Sequence, residues 1–224
     1  TPYRRIGSQI VEQIRLHLRL NRSAAMSRAS ELLASVGMPD PAVSLRKYPH
    51  QLSGGQRQRV MIAMALSCDP ELLIADEPTT ALDVTVQKQV LELIATERRR
   101  RGMALILVTH NLGVVAGMCD RVAVMYAGRF IETGAPERLF ADPRHPYTRG
   151  LIAAMPRLDD DRSIPLVAIP GQPPSSHAAR RGCAFAPRCS YAQPQCREID
   201  PPSRDVGNDR GHRCLLDLPE AIKS

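Results

Sequence analysis

The 224-residue sequence predicts an α/β fold in its middle, entered through a helical segment and followed by an irregular, proline-rich extension. Three observations predict it. Between residue 52 and about residue 134, short apolar runs alternate with helical periodicity, the pattern of strands buried on both faces of a parallel sheet. Ahead of that stretch, Ile6, Ile10 and Ile14 recur at helical spacing. Beyond Pro136 the periodicity stops and most of the 19 prolines gather.

The first helical segment runs from about Ile6 to Val36, where Leu32, Leu33 and Val36 form a second apolar stripe that Gly37 stops. Pro39, Pro41 and Pro49 mark a connection. An amphipathic helix is then expected after Ser53, ending near Cys68, and another over residues 84–101. Strands are expected at residues 72–75, 104–108 and 122–126, all in one parallel sheet, the last returning through Ala127-Gly128 as an edge hairpin over residues 129–132. Little helix or strand is expected after residue 136.

Composition narrows the class. At 43% hydrophobic and 24% charged residues the chain is an ordinary globular one rather than a disordered one. Its longest apolar runs, near residues 61–66 and 103–108, fall far short of the roughly 18 residues of a membrane span. It opens Thr1-Pro2-Tyr3 with no signal or transit segment, so it reads as cytoplasmic or as a piece cut from something longer. The net charge is +7, and only three of the 30 basic residues are lysine. Much of the excess lies in the tetrad Arg98 to Arg101 and in the tail, without interleaved aromatics, which reads as a solvated surface rather than a nucleic-acid or membrane patch.

Four short elements carry chemistry. In Leu52-Ser53-Gly54-Gly55-Gln56, Ser53 is a good N-cap, and two glycines leave backbone N–H groups open at a helix N-terminus, a geometry that binds phosphate. In Leu72-Leu73-Ile74-Ala75-Asp76-Glu77 an apolar strand ends in two carboxylates at the sheet edge where α/β proteins hold ligands. Asp76 is placed to hold a Mg²⁺ shell and Glu77 to polarise a water against phosphorus. Thirty-four residues after Asp76, a second strand ends in Thr109-His110. Between them Ala81-Leu82-Asp83 precedes a helix, which Asp83 can simply cap. Each element has an ordinary structural explanation: a capped helix, an acidic strand end, a satisfied structural histidine, a helix cap.

Their order and spacing together resemble the ATP-binding cassette (ABC) family. The resemblance implies a P-loop NTPase-like nucleotide-binding domain, with ATP and Mg²⁺ as substrate and cofactor. It makes residues 52–56 the signature motif, whose Ser53, Gly54, Gly55 and Gln56 bind ATP held by a partner subunit. Residues 72–76 become the Walker B strand, Glu77 the catalytic glutamate, Ala81 to Asp83 the D-loop and His110 the switch histidine. The P-loop, G-x-x-x-x-G-K-[ST], is missing: none of Lys47, Lys88 and Lys223 follows a glycine. The glutamine loop is missing too, so the domain is incomplete and looks like the back portion of a nucleotide-binding subunit. The division expected is residues 1–51 as part of a helical subdomain, 52–135 as the back of the ATPase core, and 136–224 as the extension.

Within that extension, His145-Pro146-Tyr147-Thr148-Arg149-Gly150-Leu151, then Ile169-Pro170-Gly171-Gln172-Pro173-Pro174, then the cysteines from Cys183, resemble the tail of the oligopeptide/dipeptide (and nickel) importer ATPases. That branch implies a subunit on the cytoplasmic face of the membrane, bound to permease subunits and a second ATPase subunit, and fed indirectly by a solute-binding protein. Nucleic acid is not expected as a partner, since neither zinc-spaced C-x-x-C pairs nor a second cassette with an arginine-rich linker occurs. A soluble ABC protein acting on nucleic acid, and a non-catalytic remnant, are the competing readings. Cys183, Cys189, Cys196 and Cys214 are separated by five, six and seventeen residues, intervals that fit zinc poorly. A reducing cytoplasm disfavours disulfides. A structural iron–sulfur cluster and four unligated thiols remain, and the resemblance implies a [4Fe–4S] cluster on all four.

Overall fold

The computed structural model describes residues 1–155, 168–174 and 181–218, in two compact units that meet between His110 and Asn111.

The first unit begins with helices α1 (Ile6–Leu18) and α2 (Arg22–Ser35), whose apolar stripes are buried at the expected residues. Each such aliphatic side chain contributes about 1.5–3 kcal/mol when fully buried. Gly37 ends the segment at φ 71°, a conformation that suits glycine. Gly7 sits where α1 meets the chain that follows the short helix α3 (Pro41–Ser44); a Cβ there would lie 2.8 Å from the Leu45 carbonyl oxygen. The N–H groups of Ile6 and Gly7 are satisfied by the carbonyls of Lys47 and Leu45. Helices α4 (Gly54–Ala65) and α5 (Val84–Arg101) complete the layer, burying Val60, Ala63, Leu66, Val90 and Ile94.

Strands β1 (Leu72–Asp76) and β2 (Ala104–Val108) pair in parallel, Leu72 opposite Ala104 through Asp76 opposite Val108. Leu73 and Ala75 face inward. On the other face Leu72, Ile74, Ile106 and Val108 are 46–63% exposed. The arginine tetrad is not simply a solvated face. Arg100 and Arg101 both pair with the buried Glu97, and Arg101 also reaches Asp69, clamping the end of α5 to the turn before β1.

The second unit corrects two expectations. Strand β3 (Val122–Tyr126) does not join the parallel sheet. It forms the expected hairpin with β4 (Arg129–Gly134), and the sheet order is β3-β4-β6-β5, with β5 (Arg204–Asp205) and β6 (Gly211–His212) supplied by the tail. The helix ahead of β3 is α6 (Leu112–Met118). The tail is also less irregular than expected. Helices α7 (Pro136–Ala141) and α8 (Pro146–Ala153) each start on a proline, which is favourable at the first helical position, and α9 (Gln195–Glu198) follows. Tyr126, Tyr147 and Phe185 pack tilted and edge-on with centroids 4.6–5.4 Å apart, so two tail aromatics complete the core behind β3. Arg188 holds the 168–174 segment down through the carbonyls of Ile169 and Pro170 and touches the Tyr126 hydroxyl.

Candidate functional site

Ser53 caps α4 reciprocally: the Gln56 N–H donates to Ser53 Oγ at 3.3 Å, and the Ser53 N–H to Gln56 Oε1 at 3.2 Å. Both side chains are thereby engaged in starting the helix, while Ser53 and Gly54 stay exposed. Gly55 has a packing reason as well: a Cβ there would lie 2.7 Å from Val86 Cγ1, whereas one on Gly54 would make an ordinary contact, 3.4 Å from Leu82 Cδ2. The loop therefore rests on the segment that opens α5, where Asp83 Oδ1 accepts from the Val86 N–H at 2.9 Å. Asp83 acts as the N-cap of α5.

Strand β1 delivers Asp76 to its carboxyl end, exposed, and the chain then turns sharply at Glu77, whose φ is 47°. The Glu77 N–H donates to the Val108 carbonyl, continuing the parallel ladder one residue past β1. Its carboxylate is held at both oxygens. Oε1 accepts from the His110 N–H at 3.2 Å and lies 2.8 Å from His110 Nδ1. Because an ionised carboxylate only accepts, that contact selects the Nδ1–H tautomer. Oε2 accepts from the Thr80 hydroxyl at 2.9 Å. These bonds, His110 first and Thr80 second, hold the Glu77 carboxyl below its ordinary pKa, so it is ionised at neutral pH. His110 is otherwise open, with its side chain 82% exposed.

Glu77 and His110 are thus brought into direct contact, with Asp76 adjacent in the chain. Ser53, Gly54, Gly55 and Gln56 share the unit through the contacts of their loop with Leu82 and Val86. Two residues that the motifs did not single out belong to the arrangement. Thr80 holds the second oxygen of Glu77, and Gln87 donates to the carbonyls of Thr79 and Leu82, bracing the intervening loop. The only sequence signal for Thr80 is a hydroxyl three residues past a carboxylate in a turn.

The four tail cysteines are free thiols that line one small apolar cavity of about 20 Å³, with His145, Phe185 and Leu215 among its other walls. The Cys183 N–H donates to the Cys196 carbonyl at 2.8 Å, and Gly182, at φ 73°, passes so close to that backbone that a Cβ would lie 2.4 Å from Arg197 C. Burial raises the pKa of Cys183, Cys189 and Cys214 above the ordinary thiol value. Among the described residues no three His, Cys, Asp or Glu side chains are arranged to hold a single metal ion.

Residues 4–80 match the ABC transporter family, and residues 131–196 match the C-terminal region of oligopeptide/dipeptide transporters. The chain is 51% identical to the oligopeptide transport ATP-binding protein OppD of Haemophilus influenzae, covering 96% of this chain and 66% of that protein. It is 49% identical to OppD of Bacillus subtilis, covering 99% and 62%, and 47% identical to the dipeptide transport ATP-binding protein DppD of Escherichia coli, covering 96% and 66%. The chain therefore spans just under two thirds of the length of the curated relatives it matches. A solved inward-facing metal-chelate-type ABC transporter shares the fold, with a TM-score of 0.56 at 23% identity over 63% of this chain and 57% of that one.

Proposed function

Because this chain belongs to the family of ATP-binding subunits of oligopeptide and dipeptide ABC transporters, we propose that it is part of the ATP-hydrolysing subunit of a peptide importer, peripheral on the cytoplasmic face of the membrane. The observation that carries the reading is the Glu77 carboxylate, ionised and held at both oxygens by His110 and Thr80 beside Asp76. Such a carboxylate orients a water and takes its proton as the water attacks the γ-phosphorus. His110, exposed beyond its bond to Glu77, contacts the γ-phosphate. The open N–H groups after Ser53 face the γ-phosphate of nucleotide held by a second ATPase subunit. Asp76 offers the exposed carboxylate oxygen that Mg²⁺ prefers, and bound Mg²⁺ neutralises phosphate charge there.

No G-x-x-x-x-G-K-[ST] stretch occurs in the 224 residues, so the phosphate cradle comes from another stretch of polypeptide. The apolar outer face of β1 and β2 supports this, because parallel strands are ordinarily covered on both faces. No helix among the described residues is long and apolar enough to cross a membrane, and the membrane spans of the importer are assigned to permease subunits. A solute-binding protein completes the set. Calorimetric titration of the 224-residue chain with Mg-ATP should show no saturable binding at micromolar nucleotide. In the protein completed with a P-loop, Glu77→Gln should cut hydrolysis roughly 10²–10⁴-fold while leaving nucleotide binding intact. Parental turnover in that variant would remove Glu77 from the role. The missing P-loop also favours a second reading, a non-catalytic remnant, a truncated product with no activity of its own.

For the tail we infer a structural [4Fe–4S] cluster on Cys183, Cys189, Cys196 and Cys214. Support comes from the donor set, four thiols converging on one cavity. A zinc site would draw its sulfurs to roughly 3.8 Å of one another around a single ion. A cluster would instead spread its thiolates over separate irons. Bound, the cluster supplies cross-linking, tying the turn at Cys183 to the strand end at Cys214. Anaerobic preparations should be brown, and Cys189→Ser should bleach them and expose the tail to proteolysis. A colourless anaerobic preparation would exclude the cluster.

A further inference from the structure

From the tip where α1 and α2 meet, we infer a contact surface for anionic lipid headgroups. It goes beyond the peptide-import reading, and its test needs no nucleotide. Helix α1 ends at Leu18 and α2 begins at Arg22, so a three-residue turn brings both ends to one place. Arg15, His17, Arg19 and Arg22 gather there, all exposed. Among the described residues the three arginines enter no ion pair and make no side-chain hydrogen bond, unlike Arg28, which is spent on Asp69 and the Ser67 carbonyl. From residue 13 to residue 30 the chain carries no acidic residue; Glu12 is paired with Arg4, and Glu31 lies more than two turns along α2. The positive charge of the tip therefore has no internal counter-ion.

Charge alone would suit any acidic surface. The leucines decide between them. Leu16 is 73% exposed between Arg15 and His17, and Leu18 and Leu20 alternate with Arg19 and Asn21, half-buried. The inner face of the same helix is fully committed, with Ile6, Ile10, Val11 and Ile14 buried, so Leu16 is not a misplaced core residue. The headgroup boundary of a bilayer takes both, with arginines on phosphate and the apolar side chain pressed toward the acyl region. Each arginine near an anionic leaflet adds about 1 kcal/mol, or roughly five-fold in binding. Three such arginines make the tip a weak, salt-sensitive contact that orients a subunit on the membrane rather than anchoring it alone.

Co-sedimentation of the purified chain with vesicles tests this. Binding is expected to phosphatidylcholine vesicles containing phosphatidylglycerol, to be absent with phosphatidylcholine alone, and to weaken as salt rises. The triple variant Arg15→Gln, Arg19→Gln, Arg22→Gln should lose about a hundred-fold in affinity, with an unchanged circular-dichroism melt. Leu16→Ser should lose roughly ten-fold. A matched variant removing three exposed charges elsewhere in the same unit, Arg46→Gln, Lys88→Gln, Arg99→Gln, should bind as the parent does. Equal loss in both triple variants would reduce the effect to net charge and overturn the assignment. So would absence of vesicle binding while polyglutamate is still retained through the same three arginines, which would point to an acidic protein surface.

Discussion

Acid should loosen the tail through one side chain, His145. It is 1% exposed, packs beside Phe185, and its Nδ1 accepts from the Tyr147 N–H at 3.0 Å. Protonation would both charge a buried ring and turn that acceptor into a donor facing a donor. Burial, with the neighbouring His212 adding to it, pushes the His145 pKa down to about 4 from 6.5. The groups facing His212 are Glu132, Arg144, Arg204 and Arg210; Glu132 alone favours its charged form, and burial lowers its pKa as well. Between pH 6.5 and 4 the unfolded chain binds the proton and the folded one refuses it, so stability is complete above about 6.5 and drains as pH falls. Each pH unit is worth about 1.4 kcal/mol, and the whole span about 3 kcal/mol. That is a large share of the 5–15 kcal/mol typical of a domain. Equilibrium urea unfolding from pH 7.5 to 4.5, followed by near-ultraviolet circular dichroism of the tyrosine cluster, reads it directly. His145→Gln keeps an acceptor for Tyr147 and cannot titrate, so its stability should fall less steeply over this range, with only His212 and the carboxylates contributing. Parallel slopes for parent and variant would refute the account.

Gly55→Ala should abolish turnover in the completed protein and lower stability by about 1–3 kcal/mol, because its Cβ would press on Val86; enzymatic assay and thermal melts decide. With the Glu77 carboxyl held below its ordinary pKa, hydrolysis should show no acidic limb from this group until the pH is below the usual glutamate range, and Thr80→Val should move that limb upward. The isolated chain should bind a hydrophobic dye through the outer face of β1 and β2, and Ile74→Thr with Ile106→Thr should reduce both dye binding and aggregation. Unchanged dye binding would place the exposed apolar surface elsewhere.

What was legible in the sequence was local. The stripe of Ile6, Ile10 and Ile14, the helix Val84–Arg101 between Asp83 and Gly102, and the strands at residues 104–108 and 122–126 all follow from periodicity and caps. What was not legible was pairing. Apolar residues 122–126 look the same whether a strand pairs in parallel or in a hairpin, and only partners 80 or so residues away, at Gly211 and His212, complete that sheet. Proline misled for a related reason: the prolines gathered beyond Pro136 pointed to an irregular extension, yet Pro136 and Pro146 each start a helix whose anchors, Leu139 and Tyr147, are too widely spaced to form a stripe. The tetrad was half misread because charge gives no sign that a glutamate beside it, Glu97, is buried.

The Glu77 arrangement itself depends on such a pairing. A non-glycine residue at φ 47° carries a cost of about 1–2 kcal/mol, so nothing in the local sequence would hold this turn. What holds it comes from β2: the Val108 carbonyl takes the Glu77 N–H, and His110, two residues on, supplies two donors to its carboxylate. The register Asp76 opposite Val108 sets both contacts at once. A slip of one residue would turn Val108 to the other face and withdraw His110 from reach, since side chains alternate along a strand. Four hydrogen bonds, with Thr80 as the local one, then offset the strained backbone. The position of the candidate base is thus fixed by strand register as much as by the motif that contains it, which is why Glu77 and His110 can be recognised separately in the sequence but become one group only when β1 and β2 pair.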